Sequence, residues 1–352
     1  MHKSISRRDF LKMSSLSLGG LAFNPSTLDA DPEEETYLPS DAIGKLRVGT
    51  NEIRIFKKPD YQSEVIGTRR RDQIIYYYEK INSPHGPEFN SRWYRLSEGY
   101  AHSAYLPPVE TVLNPPVYEI PEGGQIAEIT VPISLSFRYS KFYGWQPLYR
   151  LYYKSVHWVT GVNYGINLTP WYELTDDLLK ITYWVPAKHM RLIPPEELTP
   201  IAPEVPPHLK TIQVNIKQQN MTAYEDGKVV LHTDVSTGIP GLNLTNQDFP
   251  SATPQGDFNI NIKMPVRHMG DGQLTSDYEA YELPGVPWVS FFVETGVAFH
   301  GTYWHDNYGN EMSHGCVNMR PEEAKWLWRW VTPETDGSAR VTNGLGTRVT
   351  VI

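Results

Sequence analysis

The chain holds one cysteine in 352 residues, within Ser313-His314-Gly315-Cys316-Val317-Asn318. Cysteine acts as a nucleophile in its thiolate form. An unperturbed thiol, with a pKa of about 8.5, is ionised to only a few per cent at pH 7, so a base must accompany it. Three histidines are close enough in sequence to serve. His314 lies two residues before Cys316; side chains two apart in an extended segment face the same way, so these two are expected to share a pocket. His300 lies sixteen residues upstream, at the end of an apolar stretch. Gly301 follows it, and its carbonyl could orient the ring through Nδ1–H. His305 is the third candidate. A histidine so placed can hold a thiolate–imidazolium pair and later protonate a leaving amine. Gly315 allows close backbone approach to a substrate carbonyl. The N–H groups of Gly315 and Cys316 could then face a developing oxyanion, worth about 3–4 kcal/mol per donor.

The same side chains admit two other readings. His300, His305, His314 and Cys316 form H-x4-H-x8-H-x-C, which fits no established zinc spacing, so neither metal nor cofactor is expected. A free cysteine can also be an inert, small core residue. The adjacent Ser-His-Gly weighs against that. His85, His157 and His268 are scattered and read as solvated or structural.

The elements that must carry this chemistry read as strands. The chain has 29 Pro, 26 Gly and 22 Tyr, with few long apolar stretches of helical period, which favours β-structure and turns. Ile53–Phe56, Ile74–Tyr78 and Arg92–Leu96 are expected strands in a unit spanning 44–108. A second β module spans 116–198, where Trp171-Tyr172-Glu173-Leu174 echoes Trp93-Tyr94-Arg95-Leu96. Residues 31–43 read as an acidic linker and 199–207 as a Pro-rich one. In the remainder, 208–352, Thr211–Ile216, Phe258–Ile262, Val289–Val293, Val297–Phe299 and Thr347–Ile352 are expected strands. Only 321–331 reads as helix: Pro321 at the first turn, then Glu322 and Glu323, with Trp326, Leu327 and Trp330 on one side. The fold class is therefore mainly β, with one helix near the C-terminus. A net charge of −8 argues against a nucleic-acid partner, which would call for a basic face.

Two resemblances follow from these residues. Arg54-Ile55-Phe56-Lys57-Lys58-Pro59, Trp93-Tyr94-Arg95-Leu96 and Gly99-Tyr100-Ala101-His102 are similar to the motif of bacterial SH3-like (SH3b) domains. The 116–198 module departs from that motif, with Asp176-Asp177 where a Gly-Tyr would stand. Such modules could bind wall glycan or peptide, or simply pack their aromatics as core.

The pattern His300-Gly301 followed by Ser313-His314-Gly315-Cys316-Val317-Asn318 resembles the L,D-transpeptidase catalytic domain, the YkuD-like family. Ser236-Thr237-Gly238, Thr253-Pro254-Gln255-Gly256-Asp257-Phe258, Val286-Pro287-Trp288 and His300-Gly301-Thr302-Tyr303-Trp304-His305 agree with it. The resemblance implies a β-rich, metal-free domain acting on peptidoglycan stem peptides at the cell-wall surface. It implies attack by Cys316 on the carbonyl between the third stem residue and D-Ala, with His300 as base and acid and Gly301 as the orienting carbonyl. His314 would support the thiolate charge, and Gly315 the oxyanion. An amine acceptor gives a 3→3 crosslink, and water gives carboxypeptidase activity. Ser313, Asn318, His305, Trp304 and Trp288 are assigned to the substrate groove. Packing is the alternative for the two tryptophans, and a partnership with Asp306 or Tyr303 for His305. Asn318 stands where many members carry Arg. A catalytically silent wall-binding protein is the alternative from another class.

Residues 1–30 read as a targeting segment. Ser6-Arg7-Arg8-Asp9-Phe10-Leu11-Lys12 is a twin-arginine pattern, and the apolar run from Met13 to Phe23 is too short to span a membrane. Export to the periplasm or cell wall is the expectation.

Overall fold

The computed structural model describes residues 38–165, 168–241, 251–277 and 280–352. The twin-arginine segment lies outside them. The described chain is mostly β, with one α-helix, Pro321–Trp330. No described helix is long and apolar enough to cross a membrane.

Two compact units are present. One comprises Glu110–Ile193 with His268–Gly285; the other comprises Pro39–Val109, Pro194–Arg267 and Val286–Ile352.

The first of these holds a seven-stranded antiparallel sheet in the order Gly144–Tyr152, Ile133–Ser140, Thr182–Pro186, Pro170–Thr175, Val156–Tyr164, Gln125–Ile129, Met190–Leu192. Its core includes Ala127, Ile129, Leu148, Val159, Leu174 and Val185, all fully buried. Asp176, which breaks the sequence echo, has a local task. Its Oδ1 accepts the N–H groups of Leu178 (2.9 Å) and Leu179 (2.7 Å), closing a turn. Its Oδ2 binds His268 Nδ1 at 2.6 Å, and His268 Nε2 binds Glu282 Oε2 at 2.8 Å. Burial alone would pull the His268 pKa down, but the two carboxylate partners outweigh it and hold the pKa above its ordinary value. His157 lies in the same core, between Ser155 Oγ (2.9 Å) and the Tyr183 hydroxyl (3.1 Å), and burial pushes it down to about 3.

In the second unit, residues 44–109 form two small sheets. Gly44–Arg47 lies between Ile74–Tyr77 and Pro108–Val109. The other sheet runs Val65–Arg70, Glu52–Phe56, Tyr100–His102, Arg92–Arg95, Glu79–Asn82. Strand alternation puts Ile53 and Ile55 inside with Leu46, Tyr94, Ala101 and Leu106, while Glu52 and Arg54 face out.

The rest of this unit carries two five-stranded sheets. One runs Lys228–Asp234, Asn220–Glu225, Lys210–Asn215, Arg348–Val351, Gly256–Asn259. The other runs Val317–Met319, Ala298–Gly301, Glu282–Phe291, Ile262–Gly270, Thr342–Asn343, of which 282–285 and 268–270 are counted with the first unit. The helix begins with Pro321 at its first turn and Glu322 and Glu323 facing the positive end of the dipole, as its sequence predicts. Ala324, Leu327, Trp328 and Trp330 are its buried residues, and Trp326 stacks on Trp330 at 5.5 Å. Carbonyls left open past its end need donors. Buried Lys263 supplies them, with Nζ 2.8 Å from both Val331 O and Pro333 O.

Candidate active site

The Cys316 loop is tied down before the cysteine is reached. The N–H groups of Met312 and Ser313 both donate to Thr237 O (3.0 and 3.1 Å), and Ile239 N–H donates to Ser313 O at 2.9 Å. Ser313 Oγ accepts the Gly315 N–H at 3.1 Å and donates to the Cys316 carbonyl. Gly315 has φ +117°, a conformation that L side chains rarely adopt. The chain therefore turns between His314 and Cys316 instead of running extended. The shared pocket expected for those two does not form that way: His314 is exposed, while Cys316 is partly buried. Of the two donors expected for an oxyanion, Gly315 N–H is already occupied by Ser313.

Thr253 is a supporting residue that carried no role in the sequence reading. Its hydroxyl donates to Gly315 O at 2.8 Å and accepts the Gly238 N–H at 2.9 Å. Gly238 packs so closely that a Cβ there would stand 2.7 Å from Gly315 Cα. Their presence in the Thr-Pro and Ser-Thr-Gly motifs was the available signal.

Past the loop, Val317–Met319 pairs in parallel with Ala298–Gly301, setting Phe299 against Val317, His300 against Asn318 and Gly301 against Met319. Side chains at paired positions share a face, as do those two apart on one strand. Cys316 stands just before this strand, two residues from Asn318, the register partner of His300. His300 is 2 % exposed, and its Nδ1 donates to Gly301 O at 3.0 Å. That bond fixes the tautomer and leaves Nε2 as the acceptor. Burial pushes the ring down to about 4 against the opposing pull of the carbonyl, so it is neutral at pH 7. Gly301 has no room for a side chain, since a Cβ would lie 2.8 Å from Pro287 Cγ and 3.1 Å from Pro321 Cα.

The thiol faces the Gly296 carbonyl at 3.9 Å, and the imidazole is not among its hydrogen-bond partners. Enclosure pushes its pKa up to about 11, although a hydrogen bond with the Ala298 backbone pulls the other way. The resting pair is therefore a neutral thiol and a neutral imidazole.

His305 is a structural neighbour in this site. Its Nδ1 accepts the Asn307 N–H at 3.2 Å, and its Nε2 lies 3.0 Å from the Asn318 amide. Burial pushes the ring down to about 3. The atom facing Nε2 is Asn318 Nδ2, and Asn318 Oδ1 is left without a partner among the described residues; a neutral ring accepts at only one nitrogen, so with Nδ1 accepting, the pair closes when the amide is turned to offer Oδ1 to Nε2–H. Trp304 leans on His300 with ring centroids 5.8 Å apart. Trp288 lies elsewhere: it is 3 % exposed, packs on Trp328 at 5.5 Å and sits under Lys325 Nζ at 5.4 Å. Its φ is +61°, and it packs against the helix, the alternative to the groove that the sequence left open for it. No group of metal-binding side chains occurs among the described residues.

Residues 209–351 match the sequence model of the L,D-transpeptidase catalytic domain, YkuD. This segment is an L,D-transpeptidase catalytic domain. No curated protein matches the chain. Among solved structures, it is similar to a cysteine-to-serine mutant of the Enterococcus faecium L,D-transpeptidase, at 28% identity over 41% of this chain and 49% of that one, TM-score 0.30. It is also similar to an L,D-transpeptidase from Xylanimonas cellulosilytica, at 24% identity over 42% and 62%, TM-score 0.31. A third, from Mycobacterium smegmatis, has 21% identity over 49% and 73%, TM-score 0.32. The chain thus covers about half to three-fifths of the length of the first two.

Proposed function

We propose that the chain is an exported peptidoglycan L,D-transpeptidase that forms 3→3 crosslinks through a Cys316 thioester. The observation that carries this is the parallel register setting His300 opposite Asn318, with Cys316 two residues before it, while Gly301 O holds Nδ1–H and leaves Nε2 as the base. The family match over 209–351 supplies the substrate class.

In this reading the thiol turns about χ1 from the Gly296 carbonyl toward His300 when a donor stem binds. His300 Nε2 takes the thiol proton as Sγ attacks the carbonyl between the third residue and D-Ala. The C–N bond then breaks, and the imidazolium gives that proton to the leaving amine, producing the thioester and free D-Ala. The amine of a second stem attacks the thioester and passes a proton to His300, which returns it to the departing sulfur. Both partners start neutral, so the proton moves with the attack and not before it. The SH3b-like region and the twin-arginine segment fit work at the wall outside the cytoplasm.

Incubation of the full chain with disaccharide-tetrapeptide, read by mass, tests the proposal. A dimer lacking one D-Ala is the expected product. Tripeptide alone would make it a carboxypeptidase, and unchanged substrate with no acyl-enzyme would sink the enzymatic reading. Cys316→Ala should form neither acyl-enzyme nor dimer.

A further inference from the structure

The segment just after His300 is held from a part of the chain far away in sequence. Arg92 Nη1 binds Asp306 Oδ2 at 2.9 Å. Asn90 Nδ2 donates to Asp306 O (3.3 Å) and Asn307 Oδ1 (3.1 Å). Arg47 Nη2 donates to Tyr303 O at 2.9 Å, and Asp306 N–H donates to Ala104 O at 2.8 Å. Gly49 lies so close that a Cβ there would stand 2.1 Å from Trp304 O. These donors are themselves fixed. Arg47 is 2 % exposed and paired with Asp72 at 3.2 Å. Asn90 is 9 % exposed; its Oδ1 accepts the Ser103 hydroxyl at 3.1 Å and its carbonyl lies 2.7 Å from His102 Nε2. Buried polar groups held by several hydrogen bonds fix a geometry more strictly than apolar contact does.

The held segment connects directly to the chemistry. Trp304 leans on His300, and His305 bonds Asn318, the register partner of His300. Asn307 O accepts the Ser236 hydroxyl at 3.1 Å, and the single Tyr308 O–H lies between Met319 O (3.1 Å) and Thr302 O (3.3 Å). These links reach the two strands directly or, through Ser236, whose backbone is bridged to Asn318, at one remove.

We propose that residues 44–109 are a positioning element for the active site: Arg92, Asn90 and Arg47 hold 303–309 so that His305 and Asn318 keep the His300 and Cys316 strands in productive register. Arg92 is the positioning residue most open to test, because its ion pair is partly exposed and a variant can fold without it. The inference rests on the transpeptidase reading.

The test uses the full chain with Arg92→Ala and Arg92→Lys. Kinetics on disaccharide-tetrapeptide, thermal melting and NMR titration of the labelled His300 ring, identified by its loss in His300→Gln, are read together. Misplacement of a reacting group by about 1 Å costs up to about a hundredfold. Arg92→Ala should therefore lose between about tenfold and a hundredfold in kcat with KM little changed, and Arg92→Lys should recover most of it. The His300 titration should rise from about 4 toward the ordinary range in Arg92→Ala, as the loosened ring gains water. Gly49→Ala, which pushes on the Trp304 carbonyl, should shift both readouts the same way. Folded Arg92→Ala with parental kcat and an unmoved His300 titration overturns the proposal. So does a loss of activity matched only by a loss of folded protein. If the parent itself forms no product, the transpeptidase reading fails, while the His300 titration still decides whether Arg92 positions that ring.

Discussion

His300 and His268 are both 2 % exposed, yet they end in opposite states. Among the described residues His300 has one hydrogen-bond partner, the Gly301 carbonyl, and burial keeps it neutral with a pKa of about 4. His268 has a carboxylate on each nitrogen and is held charged. The difference shows what burial alone does not decide. A histidine with both nitrogens tied to carboxylates is a structural cation, whereas one with Nε2 open and the proton parked on Nδ1 is a base in waiting.

Exchanging the two roles gives the largest expected effects. His300→Ala should cut acyl-enzyme formation by about 10²–10⁴, the usual worth of a general acid–base, with the fold retained. His268→Ala should leave acylation per folded molecule unchanged but destabilise the protein. It strands Asp176 and Glu282 without their cation, and breaking a buried pair costs about 3–5 kcal/mol. Intact-mass acylation and urea unfolding on both variants measure the crossing. Lost chemistry in folded His268→Ala, or retained chemistry in His300→Ala, would break the comparison.

Next in size is the reactivity of the thiol. A preformed thiolate–imidazolium pair would alkylate fast at neutral pH, but a thiol at about 11 beside a neutral ring should not. The iodoacetamide rate at Cys316 should keep rising with pH through 9 and 10, without a plateau near neutrality. A plateau below pH 7 would show an ion pair and remove the neutral resting state from the mechanism.

The two histidines should also tilt stability in opposite directions. For His268 the folded pKa lies above the unfolded value of about 6.5, so its contribution is full below that value and fades as pH rises through the folded one. Asp176 adds the acid edge: burial opposes ionisation, but His268 and the turn N–H groups win, and its contribution is lost as pH falls through its lowered folded pKa. For His300 the folded pKa is depressed, so the unfolded state binds more protons between about 4 and 6.5, and stability falls as pH drops through that window. Melting curves against pH should lose the alkaline decline in His268→Gln and part of the acid decline in His300→Gln.

What the sequence disclosed was local. Cys316, His300 and Gly301, the proposed nucleophile, base and orienting carbonyl, could be singled out because they sit in short motifs, and the helix was legible because Pro321, Glu322 and Glu323 mark its start. The face shared by His314 and Cys316 was misjudged, since a positive φ at Gly315 turns the chain. For Trp288 the packing alternative is the one seen, with its ring against Trp328 of the helix. Two further features depend on pairings that no local pattern encodes. Arg92 meets Asp306 across 214 positions, and Asp176 meets His268 across 92.

The smallest expected effect concerns His314. It is the histidine nearest the thiol in sequence, but it is exposed and the chain turns at Gly315 between the two. A charge in that setting is screened by water and contributes at most about 1 kcal/mol, or about fivefold in rate. His314→Ala should therefore lower acylation by no more than that and leave the alkylation profile of Cys316 unchanged. A loss approaching that of His300→Ala would mean that the loop turns His314 inward when substrate binds, and that the base is the nearer histidine after all.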